Sequence, residues 1–286
     1  MPEVIYLNGK FVSPAEAVVP INDRGFLFGD AVYEVIRSYD GRLWAFERHL
    51  RRLRRSLEAI DIQAVNVDEL RPTVEDCCAR SSFPNALVYI HITRGAAPRS
   101  HIYSRDLEPL VLVHVRDITP LVAAIDLEGV AAVTAPDLRW RRCDIKSTNL
   151  LPNLLARTAA HDKGAHEAIL FDDEGFITEA AGMAVFCVEG EVLLTTPGGP
   201  EILPSITREL VLETAREEGI TVREERVSRE RFAGAHEILL ASTTHEACPV
   251  VELDGAPVGN GRAGPITSRL QQAFRRRVAE GRDAPS

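Results

Sequence analysis

Lysine is scarce in this 286-residue chain. Of its 33 basic residues only Lys10, Lys146 and Lys163 are lysine, and every other one is arginine. Arginine keeps its proton and cannot form an imine, whereas a desolvated lysine can do both jobs, losing a proton and attacking a carbonyl. Positive charge is short overall as well. The 42 acidic residues leave a formal net charge of −9, which supplies no field for phosphate backbones and argues against a nucleic-acid-binding protein. No apolar run approaches the roughly 18 residues of a membrane-spanning helix, and the N-terminus lacks a basic segment followed by an apolar one. Neither a membrane span nor a signal peptide is expected. Five cysteines, an odd number without Cys-x-x-Cys spacing, fit reduced thiols and a cytoplasmic location. No histidine or carboxylate cluster has metal-ligand spacing, so no metal is expected. A Gly-x-Ser-x-Gly elbow and a Gly-rich nucleotide fingerprint are missing too, which disfavours serine hydrolysis and dinucleotide binding.

What is present reads as an ordinary globular protein, with 45% hydrophobic and 26% charged residues. Val4–Leu7, Asn8-Gly9 and Phe11-Val12 predict a hairpin. Asp23 to Asp30 is expected as a loop, followed by a strand over Val32–Tyr39. Its period of two puts Tyr33, Val35, Arg37 and Tyr39 on one face, and Glu34, Ile36 and Ser38 on the other. Helices are predicted near Glu47–Ile60 and Val67–Arg80, the first an amphipathic one whose arginine-dense stretch Arg48–Arg55 forms a solvated face. Strands at Asn85–Arg94 and Leu110–Val115 follow. Asp117–Leu127, with Pro120 and little periodicity, reads as a linker. Beyond it come strands, a helix over Leu150–Lys163, another over Thr207–Glu218 and a last one near Pro265–Ala279, with only the final residues disordered. The fold class is therefore mixed α+β in two domains: a small one over 1–118, a linker over 119–126 and a large one over 127–286 that contains Lys146.

Lys10 follows a hairpin turn and suits solvent, and Lys163 before Gly164 suits a helix C-terminus. Lys146 has neither setting. It follows Ile145 and leads into Leu150, Leu151, Leu154 and Leu155, whose spacing fits one face of a buried helix. It is either a structural, ion-paired lysine or an imine former. Four further places carry chemistry. Leu203-Pro204-Ser205-Ile206-Thr207 opens a helix and presents free N–H groups suited to a phosphate. Ser242-Thr243-Thr244 is a hydroxyl-rich turn after an apolar strand. Glu179 is a carboxylate flanked by Ala180, Ala181 and Gly182. Arg99 and His101 lie two apart on a loop, a pairing suited to a substrate carboxylate. Together these groups are what pyridoxal phosphate requires: an imine-forming lysine, a phosphate cup and an acid for the pyridine nitrogen.

The motifs Asp23-Arg24-Gly25, Phe28-Gly29-Asp30-Ala31-Val32-Tyr33-Glu34, His49-Leu50-Arg51-Arg52-Leu53, Thr93-Arg94-Gly95 with Pro98-Arg99-Ser100-His101, Cys143-Asp144-Ile145-Lys146-Ser147 and Ser242-Thr243-Thr244 run through almost the whole chain. In this set and order the chain resembles the fold-type IV pyridoxal-phosphate aminotransferases, most of all the D-amino acid transaminases. The resemblance implies a two-domain enzyme with pyridoxal 5'-phosphate at the domain interface. It implies Lys146 as the Schiff-base lysine and proton carrier, and Glu179 as partner of the pyridine nitrogen. Arg52, Ile206, Thr207 and Thr243 would hold the phosphate, and Leu203 would pack on the ring. Tyr33, Arg99 and His101 would trap the substrate carboxylate, Arg99 and His101 reaching in from the neighbouring subunit of a homodimer with shared sites. Val35 and Arg37, on the face of Tyr33, are expected against the substrate side chain, Arg37 meeting a second carboxylate such as that of D-glutamate or D-aspartate. The reaction implied is ping-pong transfer of an amino group from a D-amino acid to a 2-oxo acid. A branched-chain L-amino acid aminotransferase, an (R)-amine transaminase and a lyase of the same fold are the alternatives. One departure stands out: after the glutamate the D-specific members usually carry a serine-rich run and an asparagine, while this chain reads Ala180-Ala181-Gly182-Met183-Ala184.

Overall fold

The computed structural model describes residues 3–123 and 129–283. The described residues through Ala123 pack with Ile145–Asn149 into one compact unit, while those from Gly129 to Asp144 and from Leu150 to Asp283 form a second.

The first unit is built on a six-stranded antiparallel sheet. In chain order its elements are β1 (Val4–Leu7), β2 (Lys10–Val12), α1 (Arg24–Phe28), β3 (Ala31–Tyr39), β4 (Arg42–Leu43), α2 (Phe46–Ala59), α3 (Val67–Ser81), β5 (Asn85–Thr93), β6 (Leu110–Asp117) and α4 (Thr119–Ala123). The sheet order is β2-β1-β6-β5-β3-β4. One face carries the core. Val32 and Ile36 of β3, Ile90 and Ile92 of β5 and Val113 of β6 meet Leu50, Leu53 and Leu57 of α2 and Val74 and Cys77 of α3. Each such side chain contributes about 1.5–3 kcal/mol through burial. The arginine-dense stretch of α2 was expected as a solvated face, yet Arg48, His49 and Arg52 are buried with the leucines, and the inward face of β3 supplies the carboxylate of Glu34 to His49 and Arg52.

Ile145–Asn149 belongs to this unit for a backbone reason. β4 pairs only with the Ser38–Tyr39 end of β3, which leaves the other end of that edge open. Residues 146–148 take it: Tyr33 N–H donates to the Lys146 carbonyl at 3.0 Å and Thr148 N–H to the Ala31 carbonyl at 3.2 Å. Ile145 then sinks into the core, 5% exposed. The expected division, which assigned Lys146 to residues 127–286, differs from this grouping. The expected loop at Asp23–Asp30 contains the one-turn helix α1, capped by Asp23 and closed by Gly29 at φ 67°. A Cβ on Gly29 would lie 2.5 Å from Asn149 Oδ1, so glycine lets this turn approach the Lys146 segment. Of the linker expected at 119–126, Thr119–Ala123 is helical, and 124–126 lie outside the described residues, as do 284–286.

The second unit holds β7 (Val130–Pro136), α5 (Leu151–His161), β8 (Glu167–Phe171), β9 (Ile177–Ala180), β10 (Ala184–Glu189), β11 (Val192–Thr195), α6 (Ile206–Glu217), β12 (Thr221–Glu224), α7 (Arg229–Ala233), β13 (Glu237–Ser242), β14 (Glu246–Leu253), β15 (Ala256–Pro257) and α8 (Pro265–Ala279). Its sheet runs β12-β11-β10-β13-β14-β7-β8-β9, with β15 added to β14. Parallel pairs β11–β12, β14–β7 and β7–β8 sit among antiparallel ones. The leucines of α5 do not form the expected buried face. Leu151, Leu154 and Leu155 are 67%, 58% and 63% exposed. Alanines take the inward stripe instead, Ala156 and Ala160 packing with Ala165, Ala168 and Ala181. Among the described residues no helix is long and apolar enough to cross a membrane.

Candidate active-site residues

In the first unit, Lys146 is half-buried and its Nζ lies 4.3 Å from the centre of the Tyr33 ring. Its backbone N–H donates to Ser56 Oγ of α2 at 3.2 Å. Backbone bonds on both sides therefore fix the lysine, while its amine rests on an aromatic face. Tyr33 packs in turn on Tyr89, whose hydroxyl contacts His91 Nδ1 at 2.8 Å. Burial raises the Tyr89 hydroxyl to about 12 and keeps His91 below the usual histidine range. Both residues occupy the sheet face of Tyr33 and Val35, as the register Tyr33–His91 and Val35–Tyr89 requires. Sequence reading did not single them out, although β5 alternates as clearly as β3.

Arg52 on α2 is 7% exposed. Its Nε and Nη2 donate to the two oxygens of Glu34 at 2.7 and 2.8 Å, and His49 Nδ1 contacts Glu34 Oε2 at 2.7 Å. Burial opposes the Glu34 charge, but Arg52 and then His49 overcome it and hold the carboxyl well below the usual range. Burial keeps His49 below its ordinary value, which favours the neutral ring, against the pull of Glu34. Arg37 shares the face of Tyr33, as its spacing predicts. It is 5% exposed, with its guanidinium 4.1 Å from the Tyr39 ring centre. Arg99 and His101 are exposed, and both lie against Phe28, at 5.3 Å and 5.7 Å from the ring centre. The loop that carries them is anchored by Asp30, which accepts from Arg24 at 2.8 Å and from Arg94 at 2.8 and 3.0 Å.

In the second unit, Glu179 on β9 is 7% exposed. It accepts from Leu203 N–H at 3.1 Å and pairs with Arg139. Arg139 also donates to Asp137 through Nε at 2.9 Å and Nη2 at 2.6 Å, and Asp137 accepts from the Thr178 hydroxyl at 2.7 Å. Burial raises the Glu179 pKa, with Arg139 opposing the rise. Burial works in the same direction on Asp137, yet Arg139 and Thr178 hold that group below the ordinary aspartate range. Burial works against the Arg139 charge, and the two carboxylates more than offset it. Arg139 stands in the lysine-bearing stretch, but nothing in its local spacing identified it as the partner of a residue forty positions on. Leu203 is half-buried, and Ile206 and Thr207 are buried in the first turn of α6. Ser205 caps that helix, accepting from Arg208 N–H at 3.2 Å, so the first amides of α6 are left to other acceptors. Thr243 is half-buried in the turn between β13 and β14. Ala180 and Ala181 are 1% and 6% exposed and pack in the core.

The family model for amino-transferase class IV matches residues 31–253. The chain belongs to the class IV aminotransferases. It is 37% identical over 277 residues to the D-alanine aminotransferase of Staphylococcus haemolyticus, covering 96% of this chain and 97% of that one. The D-alanine aminotransferase of Bacillus licheniformis is 37% identical over 275 residues, with 96% of each chain covered. Among solved structures, the branched-chain amino acid aminotransferase of Escherichia coli superposes with a TM-score of 0.89 at 30% identity, over 96% of this chain and 94% of that one. The fold is thus that of fold-type IV aminotransferases, enzymes that work with pyridoxal 5'-phosphate. The residues present suit that cofactor chemically. Lys146 has an aromatic neighbour, and no carboxylate pairs with its amine among the described residues. A buried arginine and a capped helix start suit a phosphate, and Glu179 is a buried carboxylate for a pyridine nitrogen.

Proposed function

We infer that this aminotransferase acts on D-amino acids, passing their amino group to a 2-oxo acid by a ping-pong course. The observation that carries this reading is the loop that presents Arg99 and His101 together on Phe28. An arginine fork beside an imidazole suits an α-carboxylate, and the Staphylococcus haemolyticus and Bacillus licheniformis relatives are both D-alanine aminotransferases. In this reading Lys146 binds the cofactor aldehyde, and Arg52, Ile206, Thr207 and Thr243 hold its phosphate. Glu179 faces the pyridine nitrogen, and Leu203 packs on the ring. When bound, pyridoxal phosphate supplies an electron sink for the bonds at Cα. Lys146 Nζ takes the α-proton and returns it, the Tyr33 ring keeping water from one side of the amine. Tyr33, Arg99 and His101 hold the substrate carboxylate, with Val35 and Arg37 along its side chain.

Arg99 and His101 are exposed in the single chain. In a homodimer with shared sites, which is part of this reading, they serve the neighbouring subunit. A cytoplasmic location is part of it too, and the five free, buried cysteines support that.

The test is a half-reaction screen. Purified enzyme loaded with pyridoxal phosphate is mixed with D- or L-alanine, and loss of the visible absorption is followed. D-alanine is expected to bleach it and L-alanine not, with an Arg99→Ala variant losing at least about tenfold in kcat/KM for D-alanine. Preferential bleaching by L-leucine or L-valine would favour the branched-chain reading, for which the Escherichia coli superposition speaks.

A further inference from the structure

The resemblance gives Arg52 a role but leaves its two buried partners without one. Glu34 is 0% exposed, and His49 only 2%. Burying a carboxylate and a guanidinium together gains little stability over an apolar pair of the same volume. Such a cluster therefore invites a functional reading. Its geometry is specific. Glu34 takes Nε and Nη2 of Arg52 side by side at 2.7 and 2.8 Å, which fixes the plane of the guanidinium and the direction in which it projects. The same carboxylate accepts from His49 Nδ1 at 2.7 Å, which selects the tautomer with its proton on Nδ1 and leaves Nε2 without one. His49 and Arg52 stand three residues apart on α2, so they share a helix face. Glu34 reaches them from β3, next in sequence to Tyr33, whose ring meets Lys146.

We propose that Glu34 is a positioning residue for the cofactor phosphate, acting through Arg52 by locking the plane of its guanidinium, with His49 held to the same carboxylate through Nδ1. The proposal rests on the reading of Arg52 as a phosphate ligand. Removing the Glu34 charge takes away the paired acceptor that sets the plane of the guanidinium and places an amide N–H against an arginine N–H. The phosphate then loses an oriented donor, while contacts to the ring and the aldehyde are untouched.

The experiment compares two cofactors. Dissociation constants of pyridoxal phosphate and of pyridoxal, which has no phosphate, are measured by absorbance and fluorescence for the wild type, Glu34→Gln, Glu34→Asp and Arg52→Gln. Glu34→Gln is expected to weaken pyridoxal phosphate by at least about tenfold while leaving pyridoxal within about twofold, with Glu34→Asp in between. The double variant Glu34→Gln with Arg52→Gln is expected to be no weaker than Arg52→Gln alone. Equal loss of both cofactors in Glu34→Gln would mean a merely structural role and overturn the proposal. If Glu34→Gln does not fold, Glu34→Asp decides by the same comparison. A phosphate-specific loss in Arg52→Gln but in neither Glu34 variant overturns this inference alone. No phosphate-specific loss in Arg52→Gln overturns the reading of Arg52 and this inference with it.

Discussion

Replacing Arg139 by methionine tests how the second unit tolerates its buried carboxylate at Glu179. The Arg139 side chain is 5% exposed, and those of Asp137 and Glu179 are 11% and 9% exposed. Methionine fills most of the volume but leaves two carboxylates facing an apolar group. Breaking one buried pair by removing a partner costs about 3–5 kcal/mol. The loss does not double for two pairs, because each carboxylate keeps a donor: Asp137 keeps the Thr178 hydroxyl at 2.7 Å, and Glu179 keeps the Leu203 N–H at 3.1 Å. For a chain of this size that range lowers the unfolding midpoint by on the order of 6–20 °C. Calorimetry at neutral pH measures it.

The sign of the pH dependence follows from the same contacts. Glu179 has a raised pKa in the folded state, so its favourable contribution is complete at low pH and is lost as pH rises through the folded value. Asp137 is lowered, so its contribution is present above the ordinary aspartate range and is lost as pH falls through the folded value. Without Arg139 both carboxyls move upward, and Glu179 takes a proton at a higher pH than in the wild type. The gap between wild type and Arg139→Met should therefore narrow as pH falls from about 8 to about 5. Adding Glu179→Gln to the variant should recover part of the loss at neutral pH. A midpoint shift under about 2 °C, or a gap that stays constant over this pH range, would refute the reasoning.

Asp30 joins Arg24 and Arg94 beneath the loop of Arg99 and His101, and Asp30→Asn is expected to cost about 2–3 kcal/mol, read by urea unfolding. Burial works to raise the Asp30 pKa, but Arg94 and Arg24 prevail and hold it low, so the wild-type advantage over Asp30→Asn should persist at neutral pH and vanish as pH falls below the ordinary aspartate range. Ser205→Ala removes the cap of α6 and should cost about 1 kcal/mol. If the first turn of α6 holds the phosphate, the same variant should bind pyridoxal phosphate more weakly than the wild type in equilibrium dialysis.

Local pattern made much of this molecule legible. The alternation of β3 separated Tyr33 and Val35 from Ile36 because a strand's period is fixed by backbone geometry. Scarcity, followed by resemblance, drew attention to Lys146. Resemblance suggested Glu179 as well, and the helix start at Ser205 was visible in its own residues. What local pattern could not supply was pairing across distance. The leucines of α5 have the spacing of a buried stripe, yet alanines four apart took the inward position and pack with Ala168 and Leu170 of the strand beneath. Residues 145–149 joined the first unit because an open strand edge was there to accept them, and no local propensity records an open edge.

Besides Tyr89 and His91, the residues that reading by type overlooked share one property: they are counter-ions. Glu34 stood in plain view on the inward face of β3, and Arg48–Arg55 stood on α2, but each was read alone. One was a carboxylate on a strand, the other a basic surface. A carboxylate predicted on the same face as Ile36 has to be buried, and a buried carboxylate requires a cation and a donor. A helix that offers His49 and Arg52 on its leucine side supplies both. The same logic applies in the second unit, where an acid flanked by Ala180 and Ala181 needed an Arg139. Treating each inward-facing charge as a demand for a partner points to His49 and Arg52 for Glu34, and shows that Glu179 needs a cation without saying which. It also makes Glu34 and Arg139 the residues whose removal most directly tests whether those charges serve the cofactor or only each other.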